Sequence, residues 1–208
     1  VPVAVAVADF VDAGDAGNGI ECDNDAASSL ATPRTKPQLS NFTIVGPNDA
    51  AGTAGNHNFS NRWRRATQFV LRNSILMGHP DAGFSTESDA TLNDYYVNNL
   101  SEFKNNLVHA TALPYKTANA AIATNAQIQA KAEAEGCITM ATSAAAQLTS
   151  PFYSTAPNFL PVTGSPALSG VSFTGMNAFF TPTTYRGAFG TTNWTSGWCN
   201  WDPQNAVY

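Results

Sequence analysis

Charge is what this chain most lacks. Asp, Glu, Lys and Arg make up 12% of its 208 residues, against about 25% in an ordinary soluble domain, so neutral polar side chains must cover most of its surface. With Lys+Arg at 10 and Asp+Glu at 15, the formal net charge is -5. The one basic cluster, Arg62, Arg64 and Arg65, is too small to release counterions on the scale that phosphate binding requires, so no nucleic-acid partner is expected. Cysteine is scarce too. Cys22, Cys137 and Cys199 lie far apart with no CxxC pair, which argues against a thiolate metal site and allows at most one internal disulfide, in any of three pairings. No apolar run approaches the length of a membrane-spanning helix, and the start lacks the basic-then-apolar order of a signal peptide. Because it opens on Val1 rather than Met, the chain reads as a processed or excised segment.

What is present is a repeat. SNFTIVG at 40–46, RNSILMG at 72–78 and KNNLVHA at 104–110 share the form x-Asn-x-h-h-h-small, where h is mostly apolar, and place Asn41, Asn73 and Asn105 at equal intervals. One short apolar strand and one Asn per fixed period is the pattern of a solenoid whose coils stack like positions above one another. The spacing predicts a ladder in which Asn41, Asn73 and Asn105 hydrogen-bond along the stack. Second strands are expected at Gly19–Glu21, Thr67–Leu71 and Gly83–Thr86, and the excursions at 47–62 and 88–99 are too hydrophilic for core. An antiparallel sandwich with a chance recurrence is the competing architecture. The opening run VPVAVAVA (Val1–Ala8) reads as a buried strand whose leading edge needs a partner, either preceding coils or a neighbouring copy. Head-to-tail stacking of that kind propagates into filaments.

Composition changes at Thr117. Residues 117–136 are rich in Ala, Gln, Lys and Glu and close on Gly136, which predicts a surface helix with a glycine cap. Beyond Ser150 come Pro, Gly, Thr and aromatics, ending in TYRGAFGTTNWTSGWCNWDPQNAVY, a density of rings that cannot be left in water. The division expected is coils over 1–116, a helical surface segment over 117–149 and an aromatic-rich C-terminal cap over 150–208. Within the cap, Arg186 between two aromatics fits a cation–π or buried hydrogen-bond anchor.

Four stretches carry a family resemblance: GNGIECDNDAASSLATPRTKPQLSNFTIVGP (17–47), RRATQFVLRNSILMGHPDAGF (64–84), PNFLPVTGSPALSG (157–170) and the closing segment 184–208. Together they resemble the C-terminal half of a family of large exported β-helix proteins of Bacteroidota. The resemblance implies an all-β, right-handed parallel β-helix outside the cell, anchored as a lipoprotein or delivered by type IX secretion, with further coils before the point matching Val1. It supplies no catalytic residues.

Chemistry has few footholds. The acidic stretch ADFVDAGDAGNGIECDNDA crowds oxygen ligands onto short loops, and Asp12, Asp15, Asp23 and Asp25 are the residues that a structural Ca²⁺ would use, against the alternative of a solvated loop with Asx turns. His79 and Asp81 form the one close His–acid pair, which a turn at Pro80 explains. No GxSxG elbow is present, and Arg72 stands on its strand without an adjacent carboxylate. Trp194, Trp198 and Trp201 could stack on sugar rings or serve the cap. Asn58 and Asn99 head Asn-x-Ser sequons in polar loops and are glycosylation candidates, as Asn41 and Asn193 also would be by motif alone. These observations predict a secreted structural or adhesive surface protein rather than an enzyme. A glycan-binding module comes second, and a polysaccharide lyase or glycosidase third.

Overall fold

The computed structural model describes residues 3–6 (backbone), 17–48, 57–152, 156–202 and 205. Its strands stack in parallel into a β-helix of three sheets. The first sheet has the order β1 (Val3–Ala6), β4 (Phe42–Val45), β7 (Ile75–His79), β10 (Leu107–Ala110) and β12 (Ile138–Thr139). The second runs β2 (Ile20–Cys22), β5 (Asn61–Trp63), β8 (Ala82–Thr86) and β11 (Leu113–Thr117). The third runs β3 (Gln38–Ser40), β6 (Val70–Arg72) and β9 (Glu102–Lys104). Every pairing within these three sheets is parallel. The chain therefore visits the sheets in turn and comes back one coil further on.

The equal spacing of the asparagines is a strand register. Thr43 faces Ile75, which faces Leu107, and Gln38 faces Val70, which faces Glu102. At the corner between the third and first sheets, Asn41, Asn73 and Asn105 take φ of 61°, 54° and 58°. That left-handed conformation is one Asn tolerates and most L-residues avoid. It turns the chain sharply between closely spaced strands, which explains why Asn recurs there.

The expected ladder needs correction. Among the described residues no amide of Asn41, Asn73 or Asn105 bonds directly to another. Asn73 reaches Asn41 only through Ser40, donating to Ser40 Oγ at 3.1 Å, which donates to Asn41 Oδ1 at 2.8 Å, and the amides of Asn41 and Asn73 also reach outward from the coils. A regular set of axial hydrogen bonds belongs to the next residue of each coil. Ser74 Oγ accepts from Phe42 N at 3.1 Å, Asn106 Oδ1 from Ser74 N at 2.8 Å, and Cys137 Sγ from Asn106 N at 3.4 Å. Each of these side chains satisfies a corner N–H of the coil before it, a group that would otherwise be costly to bury. Burial pushes the Cys137 thiol up to about 12, despite the N–H it receives, so the rung stays a neutral thiol. Its S–H in turn donates to Phe103 O at 3.4 Å.

Inside the coils, aromatic rings fill the space between the sheets. Trp63 stacks on Phe69 at 4.4 Å, Phe84 contacts Phe103 at 4.2 Å, and Tyr95 lies 5.2 Å from Phe84. Two strands refine the expected map. β5 begins inside the hydrophilic excursion 47–62 and closes on Trp63, and the expected strand Thr67–Leu71 overlaps β6 of the third sheet. The excursion at 88–99 also enters the core. Its helix α1 (Asp89–Leu92), capped by Ser88 and continued by a wider turn over Asn93–Val97, buries Leu92 and Tyr95.

The helix is shorter than composition predicts. α2 (Asn125–Ala134) starts at Thr124, which forms a capping box with Gln127, and Gly136 follows at φ 85°, the left-handed exit that glycine supplies. The preceding Thr117 is held in β11 by its pairing with Thr86 and by donating its N–H to Asn125 Oδ1. α2 occupies the place of a fourth strand of the third sheet and presents Ile128 and Ala132, one turn apart, to the aromatic interior. The end of the coil stack is thus closed by this helix. The aromatic C-terminal segment lies elsewhere, on the flank of the first sheet, where Val45, Ile75, Met77 and Leu107 point outward into a second apolar cluster with Phe159, Ala167, Ala188 and Phe189. An antiparallel pair, β13 (Leu148–Ser150) with β14 (Asn158–Pro161), builds part of this covering. A strand flanked by apolar groups on both faces reads as a continuous apolar run, and TIV, ILM and LVH are such runs. Among the described residues no helix is long and apolar enough to cross a membrane.

Candidate functional site

Three surfaces carry polar or aromatic groups in arrangements that strand packing alone does not require. The first is the outer face of the second sheet, where Glu21, Arg62, Ser85 and Lys116 fall in one row across four strands. Arg62 pairs with Glu87 and, at 3.4 Å, with Glu21; Arg64 pairs with Glu21 and, at 2.9 Å, with Asp23; Arg65 reaches Asp23 at 2.9 Å; and Lys116 meets Asp81 at 2.5 Å. Arg62 and Lys116 also lie 5.1 Å and 5.3 Å from the centre of the Phe59 ring. Four cations thereby meet four carboxylates, and the face is electrostatically closed on itself. The basic cluster Arg62, Arg64 and Arg65 is absorbed here.

The second is the corner between the first and second sheets. Ser60 Oγ and His79 Nδ1 are 2.8 Å apart and both residues are fully buried, while His79 Nε2 has no hydrogen-bond partner. Burial pushes His79 down to about 4, with the nearby His57 adding a smaller effect in the same direction. A serine beside a neutral imidazole resembles the start of a nucleophilic relay, yet the far nitrogen has no acid to orient it and the serine has no access to solvent. The arrangement is a buried hydrogen bond. Asp81, the expected partner of His79, turns away to Lys116.

The third is a cleft of about 490 Å³. Its floor is Gln38–Phe42 and its wall is the segment 173–183, through Phe173, Phe179, Phe180, Thr181 and Thr183. The corner asparagines hold that wall. Asn41 Nδ2 donates to Tyr185 O at 2.8 Å and to Thr183 Oγ1 at 3.0 Å, while Asn73 accepts from Ser172 N at 3.0 Å and donates to Ser172 O at 3.1 Å. Arg72 adds a bond to Thr174 O at 2.9 Å and is neutralised by Glu102 of the next coil. The adjacent carboxylate that Arg72 lacks on its own strand is therefore supplied one coil on. Sequence reasoning missed this cleft because its two sides, floor and wall, come from opposite ends of the chain. The recurring asparagines were the available signal, since a left-handed corner points them at whatever covers it.

The remaining predicted residues are dispersed. Asp12 and Asp15 lie outside the described residues. Asp23 is bound to Arg64 and Arg65, and Asp25 caps its own turn by accepting from Ser29, so the two carboxylates face separate partners. Among the described residues no three His, Cys, Asp or Glu side chains are grouped to hold a metal ion. Trp194 is stacked between Phe189 and Trp198 at 5.2 and 5.8 Å, and Trp201 packs on Phe159 at 5.5 Å. Only Trp198, 68% exposed, offers a surface of any size. Arg186 is a buried hydrogen-bond anchor, donating to the carbonyls of Pro166 at 3.2 Å, Gly136 at 3.1 Å and Gly170 at 3.0 Å. Asn99 accepts from Lys131 at 2.7 Å, and the carbonyl of Asn58 accepts from Ala82 N at 3.1 Å. In both of these sequons the serine, Ser60 or Ser101, is buried. Cys22, Cys137 and Cys199 are all free thiols.

Comparison with known proteins gives one family match: the model described as pectate-lyase like beta helix domain aligns with residues 6–159, well over half of the chain. No curated protein and no solved structure matches it.

Proposed function

The chain belongs to the family of pectate-lyase-like beta-helix domains, and on that premise we propose that it is a non-catalytic structural or adhesive element of the cell exterior. The observation that carries this reading is that, among the described residues, the molecule occupies the outer faces of its first and second sheets itself. The flank of the first sheet lies under its own C-terminal segment, and the charged row of the second sheet is matched cation to carboxylate. Lyases and glycosidases on this fold need an acid, a base or a metal presented to a polysaccharide in a groove. Among the described residues the charged groups of the second sheet's face are engaged with one another, and Ser60 and His79 are buried. The low charge density and the resemblance to exported β-helix proteins support an extracellular setting.

The same reading gives β1 a role. Its backbone pairs with β4 on one side, and an edge strand is a template for another strand, so preceding coils or a neighbouring copy would dock there. Head-to-tail docking of copies at β1 would propagate into a filament, with α2 filling the third-sheet position at the far end and β11 and β12 ending the other two sheets.

The test is an assay of the purified chain on pectate and neutral polysaccharides, following unsaturated products and new reducing ends, beside its retention by the same insoluble polysaccharides or by cell envelopes. Retention without turnover is expected. Turnover that disappears in Arg62→Gln or Lys116→Gln would sink the non-catalytic reading.

A further inference from the structure

We propose that the cleft between β3 and the segment 173–183 is a binding subsite for an uncharged saccharide, with Phe179 and Phe180 as its stacking platform. The proposal rests on the adhesive reading above and names the ligand class of its contact site.

Phe179 is 82% exposed, the largest exposure among the large apolar side chains of the described residues. It does not hang from a loose loop. Asn177 Oδ1 accepts from Phe179 N at 2.8 Å, Asn177 O accepts from Phe180 N at 3.0 Å, and the two rings meet nearly perpendicular at 5.6 Å. A turn stabilised this way holds both rings at the cleft, Phe179 in water and Phe180 half-buried, an arrangement that ordinary burial of apolar surface works against. The segment is tied to the coils at Asn41, Asn73 and Arg72, so the wall is set before any ligand arrives, which lowers the ordering cost of binding.

The lining selects the ligand. Gln38, Ser40, Asn41, Thr181 and Thr183 are neutral hydrogen-bonding residues, Leu39, Phe42 and the three wall phenylalanines are apolar, and none of the lining residues is charged. Sugar rings combine apolar C–H faces, which pack on aromatic rings, with hydroxyl rims that suit amides and hydroxyls. A uronate or sulfated sugar would need a cation in the lining, and there is none; Arg72 and Lys104 on the neighbouring strands both pair with Glu102. Volume argues against a protein occupant. The cleft's 490 Å³ falls within the range of roughly 300–1,000 Å³ typical of small-ligand clefts, whereas a stable protein contact spreads over roughly 800 Å² per partner.

The test uses the full chain in affinity electrophoresis through gels containing a soluble neutral β-glucan, a mannan, a xylan or polygalacturonate, with Phe179→Ala, Phe180→Ala and Trp198→Ala as variants. The expected result is retardation by at least one neutral polymer and none by polygalacturonate. Phe179→Ala should weaken it about tenfold or more with an unchanged melting temperature, and Trp198→Ala should leave it intact. Three results overturn the proposal: no retardation by any neutral polymer, equal retardation of Phe179→Ala, or loss in Phe179→Ala of a concentration-dependent dimer, which would make a second copy the occupant. Turnover of a polymer whose retardation still depends on Phe179 would sink the non-catalytic reading and support the subsite. Retention by cell envelopes that ignores Phe179 would do the reverse.

Discussion

The first and third sheets advance by a constant step per coil from β4 to Val108 of β10 and between β3 and β9, with one irregularity where Ala110 faces His79, while the second sheet does not keep step. Ile20 faces Asn61 across a long step, Arg62 faces Ser85 across a short one, and Ala82 faces Leu113 across one of intermediate length. The difference follows from what joins one coil to the next. At the corner of the third and first sheets, N–H groups are met by the side chains of Ser74, Asn106 and Cys137, so an added residue would leave a donor without its acceptor. Across the second sheet, coils are tied by long arginine and lysine side chains on a surface, which adjust to a shifted register. The step varies where the connections are adaptable.

That contrast can be broken from its rigid side. Phe103 lies within the interior between Phe84 and Tyr115, and Phe103→Ala should cost about 3–5 kcal/mol, measured by denaturant unfolding. A loss below about 1 kcal/mol would mean the rings are loosely packed and the regular coils owe little to them.

A pH titration comes next in size. His79, with an ordinary value of 6.5, is held down to about 4 by burial. In the unfolded chain it takes up a proton near pH 6.5, whereas the folded chain resists until about pH 4. Stability is therefore full above the ordinary value, falls as the pH drops towards the folded one by up to about 3 kcal/mol, and levels off below. His79→Gln should flatten that part of the curve; an unchanged slope would place the acid sensitivity elsewhere.

The axial ladder can be probed on its own. Asn106→Ala removes the acceptor for Ser74 N and the donor to Leu71 O, for an expected loss of about 2 kcal/mol, with Asn106→Asp recovering the acceptor but not the donor. The smallest effect belongs to the adaptable side. Arg62→Gln disrupts partly exposed ion pairs with Glu87 and Glu21 and should change stability by under about 1 kcal/mol, less in high salt. A larger loss would show that the second sheet is held as tightly as the others.

The architecture could be read from the chain because one observation, an Asn followed by a strand at a fixed interval, is local and repeats. What that Asn does was not readable. Its periodic position reflects a left-handed turn, an intrinsic backbone preference, while the amides of Asn41 and Asn73 answer to Ser172, Thr183 and Tyr185 far along the chain. The strand β5 was hidden for a related reason. Asn61 and Trp63 are buried together, the indole donating to Asn61 Oδ1 at 2.8 Å, and a strand whose polar residue faces the interior loses its alternating pattern. The acidic stretch pointed to a metal by density of oxygens alone. Density does not show direction: Asp23 and Asp25 look to different partners, while Asp12 and Asp15 lie outside the described residues.

By itself, then, the sequence determined the coil: its period, its turning residue and the apolar runs that must be covered on both sides. Only the tertiary structure decided what does the covering. A short helix closes the end of the stack and the aromatic segment lies along its flank, because apolar surface attracts any apolar partner of suitable shape and carries no address for one. The cleft is a product of that choice, formed where the returning chain meets the corner.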